Sequence, residues 1–428
     1  MFQKLIMLFK NKKIWIILIG YVLISLVLST SIILIDNRTL PIQQYIPSLL
    51  FTNVGLAKDI LSLLAGVLLT ITTFTFSTIL IVLTMYSSQF SPRVVENFLT
   101  NKITMKVLGI YVGGFFYCIM TLLFMRNLNT NDLVISATVA VLYSFLCIVY
   151  FIRFVYTVSS SIQANKLIEK LYNESEEAVE HTISALKDKK RINNYSFDKY
   201  IWQTEIVSKK SGYLDLIDLD SIWNFIKESD GKVFIDLRIG VYLSEKERIA
   251  SFYTNNKTDE NLIKKLSECF SIGGERYAYN DYMFSLQKII EISLRAISTG
   301  INDPYTAIRC IRMLGVLLAK LAGIDGQYTV IKSNDSKAVI INKSLDFPKD
   351  LYNTFYQIVH YGKGDISIVL SLFEALEIII KKASQDNKIV IKEFADYVYS
   401  NCISGYTHKL DIDLIKEKMD KISKLSTM

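Results

Sequence analysis

The sequence predicts a membrane α-helical protein with four transmembrane helices, followed by a mixed α+β cytoplasmic region that has a small β-rich module and a helical C-terminal part. Three observations carry this. Of the 428 residues 51% are apolar, and nearly all the long uncharged runs lie before residue 153, while the chain after it is charged and interrupted. Lys and Arg flank those runs unevenly, ten on one side and three on the other. Beyond residue 198, short strand-like runs punctuated by glycines give way to helical periodicity.

Lys4, Lys10, Lys12 and Lys13 precede 22 uncharged residues, Ile14 to Ile35, which form the first span. That run is of span length and no small-residue cleavage pattern follows it, so a removable signal is not expected. The segment Asp36 to Lys58 holds Pro41 and Pro47 among polar residues and reads as an irregular extramembrane loop. The second span, Ile60 to Tyr86, is about 40 Å long as a helix, where a bilayer core needs about 30 Å. Along it Ser62, Gly66, Thr70, Thr73, Ser77, Thr84 and Ser88 recur at three- and four-residue steps, with one gap at Ile81. One helical face is therefore small and hydroxylated and the rest is apolar.

After this span, Ser91 and Pro92 suit the cap and first turn of a short helix. Val94, Val95, Phe98 and Leu99 give it an apolar side and Arg93, Lys102 and Lys106 a basic one, so it is expected along the membrane surface. Val107 to Met125 forms the third span, where Gly109, Gly113 and Gly114 offer a close-packing face. A tight turn from Arg126 to Asp132 leads into the fourth span, which ends near Ile152. The ten basic residues (Lys4, Lys10, Lys12, Lys13, Arg93, Lys102, Lys106, Arg153, Lys166, Lys170) against Arg38, Lys58 and Arg126 place both termini in the cytoplasm.

Past Arg153, the apolar positions Ile162, Leu167, Ile168 and Leu171 continue a helical pattern as an amphipathic stalk. WQTEIVS, GYLDLID and KVFIDLRIG then read as strands, with a helix at DLDSIWNFIKE capped by Asp218 or Asp220. YTVIK and AVIIN suggest a further β-pair. In the soluble half, Leu286, Ile289, Ile290, Leu294 and Ile297 form an apolar stripe that is expected to end at Gly300. Asn302 or Asp303 caps the next helix, Pro304 supplies its first turn, and Ile308, Ile311, Leu314, Leu317 and Leu318 give its buried face. Two helices thus meet at a polar corner. The expected organisation is a four-span domain over 1–158 (about 14–35, 60–86, 107–125 and 133–152), a stalk over 159–191 and a β-rich module over 192–255. A mainly helical domain over 256–428, with a β-hairpin near 328–342, completes it.

Composition also excludes. The five cysteines form no CxxC pair, and Cys118 and Cys147 lie inside apolar runs, so neither a disulfide framework nor a zinc site is indicated. His181, His360 and His408 have no metal-ligand spacing, and no cofactor motif is present. The formal charge of +7 sits largely beside the spans, where it fixes topology and attracts anionic headgroups, so nucleic acid is not an expected partner. No GxSxG elbow, phosphate loop, HExxH pair or kinase signature occurs, and the chain is not expected to be an enzyme.

The stretch Ser87-Ser88-Gln89-Phe90-Ser91-Pro92-Arg93 with Leu108-Gly109, the element Ser211-Gly212-Tyr213, and the corner from Arg295 to Pro304 stand in this order along the chain. Through them the sequence resembles an uncharacterised family of bacterial multi-pass membrane proteins, a domain of unknown function. Thr299 stands where the family usually has proline. The resemblance covers nearly the whole chain and implies the same topology, a bacterial cytoplasmic membrane as location, and no activity.

Two regions are candidate functional sites. If second spans of several copies surround an axis, Thr70, Thr73, Ser77 and Thr84 line a neutral hydroxylated passage, with Leu80 and Ile81 as an apolar constriction and Gln89 and Arg93 at its inner mouth. The same residues otherwise serve close helix packing. At the corner, Arg276, Arg295, Asn302, Asp303, Pro304, Thr306 and Arg309 could converge on a small anion at a helix N-terminus, although a helix–turn–helix corner uses the same residues structurally and Asp303 would repel an anion. No ionisable residue lies mid-span, which argues against a proton-coupled transporter. The reading these features support is a homo-oligomeric channel for ions or small solutes, embedded in the lipid bilayer and gated by its cytoplasmic domain. A membrane-anchored sensor or scaffold without conduction is the alternative.

Overall fold

The computed structural model describes residues 2–37, 39, 45–89, 102–125, 129–130, 132–161, 164–195, 202–228, 230–256, 259–277, 279–333 and 335–427. The chain divides into two compact units, Met1–Leu167 and Ile168–Met428. Residues 90–101 of the expected surface connector, with Pro92 and Arg93, as well as Arg38, Arg126 and Ile162, fall outside the described residues.

The first unit contains helices α1 (Phe2–Asp36), α2 (Val54–Gln89), α3 (Lys102–Phe124) and α4 (Ser136–Ser161). Within them Ile16–Asp36, Val54–Met85, Ile103–Phe124 and Ser136–Ser159 are each long and apolar enough to cross a bilayer. Several ends differ from the sequence expectation: α3 begins at Lys102 rather than Val107, taking in Lys102 and Lys106, and α4 runs on to Ser161 rather than ending near Ile152. Helix α2 starts at Val54 rather than Ile60, because Asn53 caps it, its side chain accepting from the Leu56 N–H at 2.8 Å. It therefore carries Lys58 and Asp59 in its first turns. Leu133 and Val134 are not helical: they form β2, which pairs antiparallel with β1 (Thr52–Asn53), so α4 begins only at Ser136.

Helix α3 is the central one, with 56% of its apolar window buried against 17–22% for the other three. Its glycines explain the closeness. A Cβ at Gly113 would fall on the Ser25 hydroxyl of α1, one at Gly114 would meet the Tyr143 ring of α4 at 2.7 Å, and one at Gly109 would lie 3.1 Å from the Leu18 carbonyl. The small-residue face of α3 thus lets three neighbours approach it. At the other face of the unit, large apolar side chains such as Leu23, Ile24, Val27, Leu63, Phe74, Phe145 and Ile152 are exposed, as suits lipid.

Helix α5 (Ala164–Leu186) carries the chain from the first unit into the second; its Ile168, Leu171, Ala178 and Val179 are buried and its acidic face is not. The second unit continues with β3 (Lys190–Ile192), β4 (Trp202–Val207), β5 (Gly212–Ile217), α6 (Leu219–Ile226), β6 (Lys232–Ile235), β7 (Tyr242–Leu243), β8 (Arg248–Thr254), α7 (Glu260–Glu268) and β9 (Phe270–Gly273). Helices α8 (Tyr282–Ala296) and α9 (Pro304–Ala322) come next, then β10 (Tyr328–Lys332), β11 (Val339–Lys343), α10 (Phe347–Gly362), α11 (Ile366–Ile380), α12 (Gln385–Cys402) and α13 (Lys409–Thr427).

One six-stranded sheet has the order β3-β10-β11-β6-β8-β4 and a three-stranded sheet the order β7-β5-β9. The β10–β11 hairpin is therefore not a separate pair inside a helical domain. It adds to the module, with β11 parallel to β6 in the register Ile340↔Val233. Ile206, Leu214, Ile222, Val233, Ile235, Phe252, Leu266 and Ile340 form the common core. The pairing of β11 with β6 joins strands about a hundred residues apart, which no local pattern announces.

The helical part starts its helices on acceptors, as the sequence rule predicts: Asp281, Asp303, Asp346, Asp365 and Ser384 cap α8 to α12, each accepting from an N–H in the first turn. Gly315 of α9 admits Ala375 of α11, whose Cβ would lie 2.9 Å from an added one. Ion pairs Arg312–Glu374 (2.8 Å) and Lys421–Glu377 (2.6 Å) tie α9 and α13 to α11.

Candidate functional site

In the first unit the predicted stripe lies along α2. Val54, Ala57, Leu61, Ala65, Leu68, Thr75, Ile79 and Val82 form the buried face, while Ser62, Gly66, Thr70, Thr73, Ser77 and Thr84 are all exposed. Ser62, Gly66 and Thr70, with Leu63, Val67 and Ile71, line an open groove on that side. The stripe is thus not consumed by packing inside this unit. Its threonines bond back to their own helix: Thr70 to Gly66 O at 2.9 Å, Thr73 to Leu69 O at 3.0 Å and Thr84 to Leu80 O at 3.0 Å. What they present outward is a methyl and an already donated hydroxyl, a neutral and weakly polar surface. Leu80 and Ile81 are exposed on the same helix, at 48% and 69%. Gln89 belongs to the last turn of α2, its side chain outside the described residues, and Arg93 lies outside them altogether.

In the second unit the predicted corner is a tight turn between α8 and α9. Helix α8 stops at Ala296, not at Gly300, because the Asp303 N–H donates to the Ala296 carbonyl at 2.8 Å and the Asn302 N–H to Ser298 O at 2.9 Å, folding the chain back at once. Asn302 has φ +50°, a left-handed conformation that asparagine tolerates. Asp303 is the cap: its carboxylate accepts from the Thr306 N–H at 3.1 Å and from the Thr306 hydroxyl at 2.5 Å. That carboxylate occupies the place an anion would take, and both Asn302 and Asp303 are exposed. Pro304 sits at the first turn as predicted.

Arg295 and Arg309 flank the turn, but Arg276 does not join them. It precedes α8, at the far end of a 15-residue helix about 22 Å long, where its guanidinium pairs with Asp281 at 2.6 Å and donates to Gln287 at 3.1 Å. Arg276 therefore stands apart from the corner, and Asp303 has the structural part of a cap there.

Sequence reasoning missed a buried polar cluster in this unit. Arg238, in the segment after β6, makes a two-point pair with Asp350 of α10 at 2.7 and 2.8 Å. Tyr282 of α8 donates to the same carboxylate at 2.5 Å, and the Arg238 guanidinium also donates to the Tyr282 oxygen at 3.0 Å. Burial, and then the Asp350 carboxylate, push the Tyr282 hydroxyl far above its ordinary range, so it stays a donor. Beside it Asp281 is buried, which raises its pKa, although the Arg276 charge opposes that. Asp215 of β5 is pushed up to about 6 by burial, and one of its oxygens is enclosed without a donor. Gly240 and Gly273 permit these two carboxylates: a Cβ at either would fall on Asp281 or Asp215. The glycines were legible as punctuation, but the acids they accommodate were not.

Four apolar helices with a lipid-suited surface, attached to a charged α+β unit, define a membrane protein by class. The chain belongs to the family described as "Predicted membrane protein (DUF2254)", which matches residues 11–378. It is 23% identical over 357 residues to Uncharacterized protein MT1328 of Mycobacterium tuberculosis (strain CDC 1551 / Oshkosh), a match covering 78% of this chain and 66% of that protein. Uncharacterized protein Mb1321c of Mycobacterium bovis is similar to the same extent. The chain spans just under two thirds of the length of these curated relatives. No solved structure matches it.

Proposed function

We propose that the protein is an oligomeric, multi-pass channel of a bacterial cytoplasmic membrane. Its α2 helices gather around a neutral passage for ions or small solutes, with both termini cytoplasmic and the second unit acting as the gate. The observation that carries this is the exposed stripe from Ser62 to Thr84, opposite the face of α2 that packs within its own unit. A face turned to acyl chains has no use for hydroxyls, so another copy or water is its natural neighbour. The positive-inside asymmetry sets the orientation. The same back-bonded threonines also favour a second reading, in which α2 helices touch with no lumen and the spans only tether and oligomerise a sensor or scaffold.

Ion flux through purified protein in liposomes separates the two, with oligomer size measured alongside. For a channel, Thr73→Leu or Ser77→Phe changes the flux while the oligomer survives. Absence of flux over varied salt, voltage and pH refutes the channel and leaves the tether.

A further inference from the structure

A second polar line runs inside the first unit, on a different helix from the stripe. Tyr21, Ser25, Ser29 and Asp36 share one face of α1 at steps of four, four and seven. Over most of its length this line is used by the fold. The Ser25 hydroxyl lies 2.8 Å from the Tyr143 hydroxyl of α4, which donates to the Ile110 carbonyl of α3 at 2.8 Å. Ser29 lies 3.4 Å from Thr121, and Asp36 accepts from the Ile135 N–H at 2.8 Å. Tyr21, at the other end, has a different neighbour.

That neighbour is Lys106 of α3. Its ammonium stands over two rings from two other helices, 5.4 Å from the centre of Tyr21 on α1 and 5.0 Å from that of Tyr150 on α4, and both phenols bear on its charge. The three residues share faces with the junction of Ser25, Tyr143 and Ile110. Tyr21 is four residues from Ser25, Lys106 four from Ile110 and Tyr150 seven from Tyr143, so the same helix faces meet again one to two turns away. At Gly109, where a Cβ would lie 3.0 Å from the Tyr21 Cβ, α1 and α3 are in contact. The Ser25–Tyr143 bond closes the space on one side. Lys106 and its two rings stand half-buried on the other, toward the end of the spans where α1 and α3 begin and α4 finishes.

Lys106 lies inside the apolar stretch Ile103–Phe124, three residues or about 4–5 Å from its start, and among the described residues no carboxylate pairs with it. A lysine so placed either binds an anion or reaches for the headgroups. Reaching alone needs no neighbours, whereas here rings from two helices hold the ammonium in one place. Neither phenol donates to a protein acceptor among the described residues. The constellation is thus one ammonium and two O–H donors, with a charge of +1 and no anion of its own. A phosphate diester completes it: two unesterified oxygens accept from such donors, and its single negative charge balances the lysine. One helical turn inside an apolar stretch, and within reach of a lysine side chain, the phosphate at hand is that of a lipid.

We propose that Lys106, Tyr21 and Tyr150 bind the headgroup phosphate of an anionic phospholipid, lodged where α1, α3 and α4 meet. The lysine neutralises the phosphate, and the two phenols donate to its oxygens. Anionic lipid is preferred because a zwitterionic headgroup brings a cation of its own, for which the site has no carboxylate. The site requires the spans to lie in a bilayer; it does not require the protein to conduct.

The test is native mass spectrometry of the full-length protein released from an equimolar mixture of phosphatidylglycerol and phosphatidylcholine. Wild type is expected to retain one phosphatidylglycerol over phosphatidylcholine by about fivefold, the order of one cation acting on one lipid charge. Lys106→Gln is expected to abolish the preference, and Tyr150→Phe, which keeps the ring, to reduce it. Lys166→Gln, which removes an exposed charge outside the spans, is expected to leave it intact. If Lys106→Gln does not fold, the combined Tyr21→Phe and Tyr150→Phe protein carries the same reading. No preference in wild type, an unchanged preference in Lys106→Gln, or an equal loss in Lys166→Gln overturns the proposal; in the last case the attraction belongs to basic surface in general. Inorganic phosphate added to the protein in phosphatidylcholine alone is expected not to bind. Phosphate binding that Lys106→Gln removes overturns the lipid as the source. Ion flux does not enter this readout, so the site and the channel stand or fail separately.

Discussion

Replacing Asp350 by Asn tests whether the buried cluster holds the second unit together. The substitution keeps the side-chain shape and removes the charge that accepts two bonds from Arg238 and one from Tyr282. Breaking a buried pair by neutralising one partner costs about 3–5 kcal/mol, because the other charge is left without compensation. Arg238 is 17% exposed at its side chain and can reach some water, so the low end, about 3 kcal/mol, applies. For a unit of this size about 1 kcal/mol moves the melting temperature by roughly 2–4 °C, so a drop of about 6–12 °C is expected. Tyr282→Phe removes a single donor and should cost about 1.5 kcal/mol, or roughly 3–6 °C. Trp202 and Trp223 both lie in the second unit, so intrinsic fluorescence of the full chain in detergent reports its unfolding. An Asp350→Asn protein melting within about 2 °C of wild type would refute the reasoning. So would equal shifts for the two variants, since then the charge would contribute nothing beyond one hydrogen bond.

Two further outcomes follow from groups placed by glycines. Because burial raises Asp215 to about 6, its contribution is fully present below pH 3.8 and is lost as pH rises through 6. Asp215→Asn should therefore match wild type near pH 4 and exceed it near pH 7.5, by at most about 1 kcal/mol because the group is only half-buried. Urea melts at the two pH values check this, and a pH-independent difference or one of opposite sign contradicts it. In the first unit, Gly113→Ala puts a methyl group onto the Ser25 hydroxyl and should cost about 1–3 kcal/mol, seen as a lower temperature of aggregation after extraction. Gly66→Ala meets nothing within 4 Å and should leave that temperature unchanged in the monomeric fraction. Equal loss in both would mean that α1 does not approach α3 as described.

What could be read in the sequence was what neighbouring residues decide. The four apolar runs, strands β4, β5 and β6, and the caps at Asp218 and Asp303 each follow from a few consecutive side chains, and the structure has them. The errors lie where distant segments intervene. Leu133 and Val134 are apolar enough to extend α4, but pairing with Thr52 and Asn53 takes them. Ile297 continues the stripe of α8, yet the helix ends one residue before it because the Asp303 N–H comes back to Ala296. Arg238 and Asp350 stand 112 residues apart, each in an unremarkable polar setting, and only the approach of α10 to the segment after β6 makes them partners. The pattern in α1 was legible in principle: Tyr21, Ser25, Ser29 and Asp36 have helical spacing, but Thr30 and Ser31 are polar on other faces of the same span, so polarity alone does not say which side faces inward.

The two polar lines of the first unit answer to different surroundings, and burial separates them. Those of α1 have partners on α3 and α4, so they belong to the fold of one chain. Those of α2 have no such use. If they served only to hold this unit together, they would lie among Val54, Leu61, Leu68, Ile79 and Val82, on the face that does so. If they served only to meet lipid, leucine or isoleucine would do so at less cost. Small and hydroxylated residues in that place lower the distance at which a second helix can approach and leave a surface that water wets. Both properties concern something outside the single chain, which is why assembly through α2 is the measurement on which the functional reading turns.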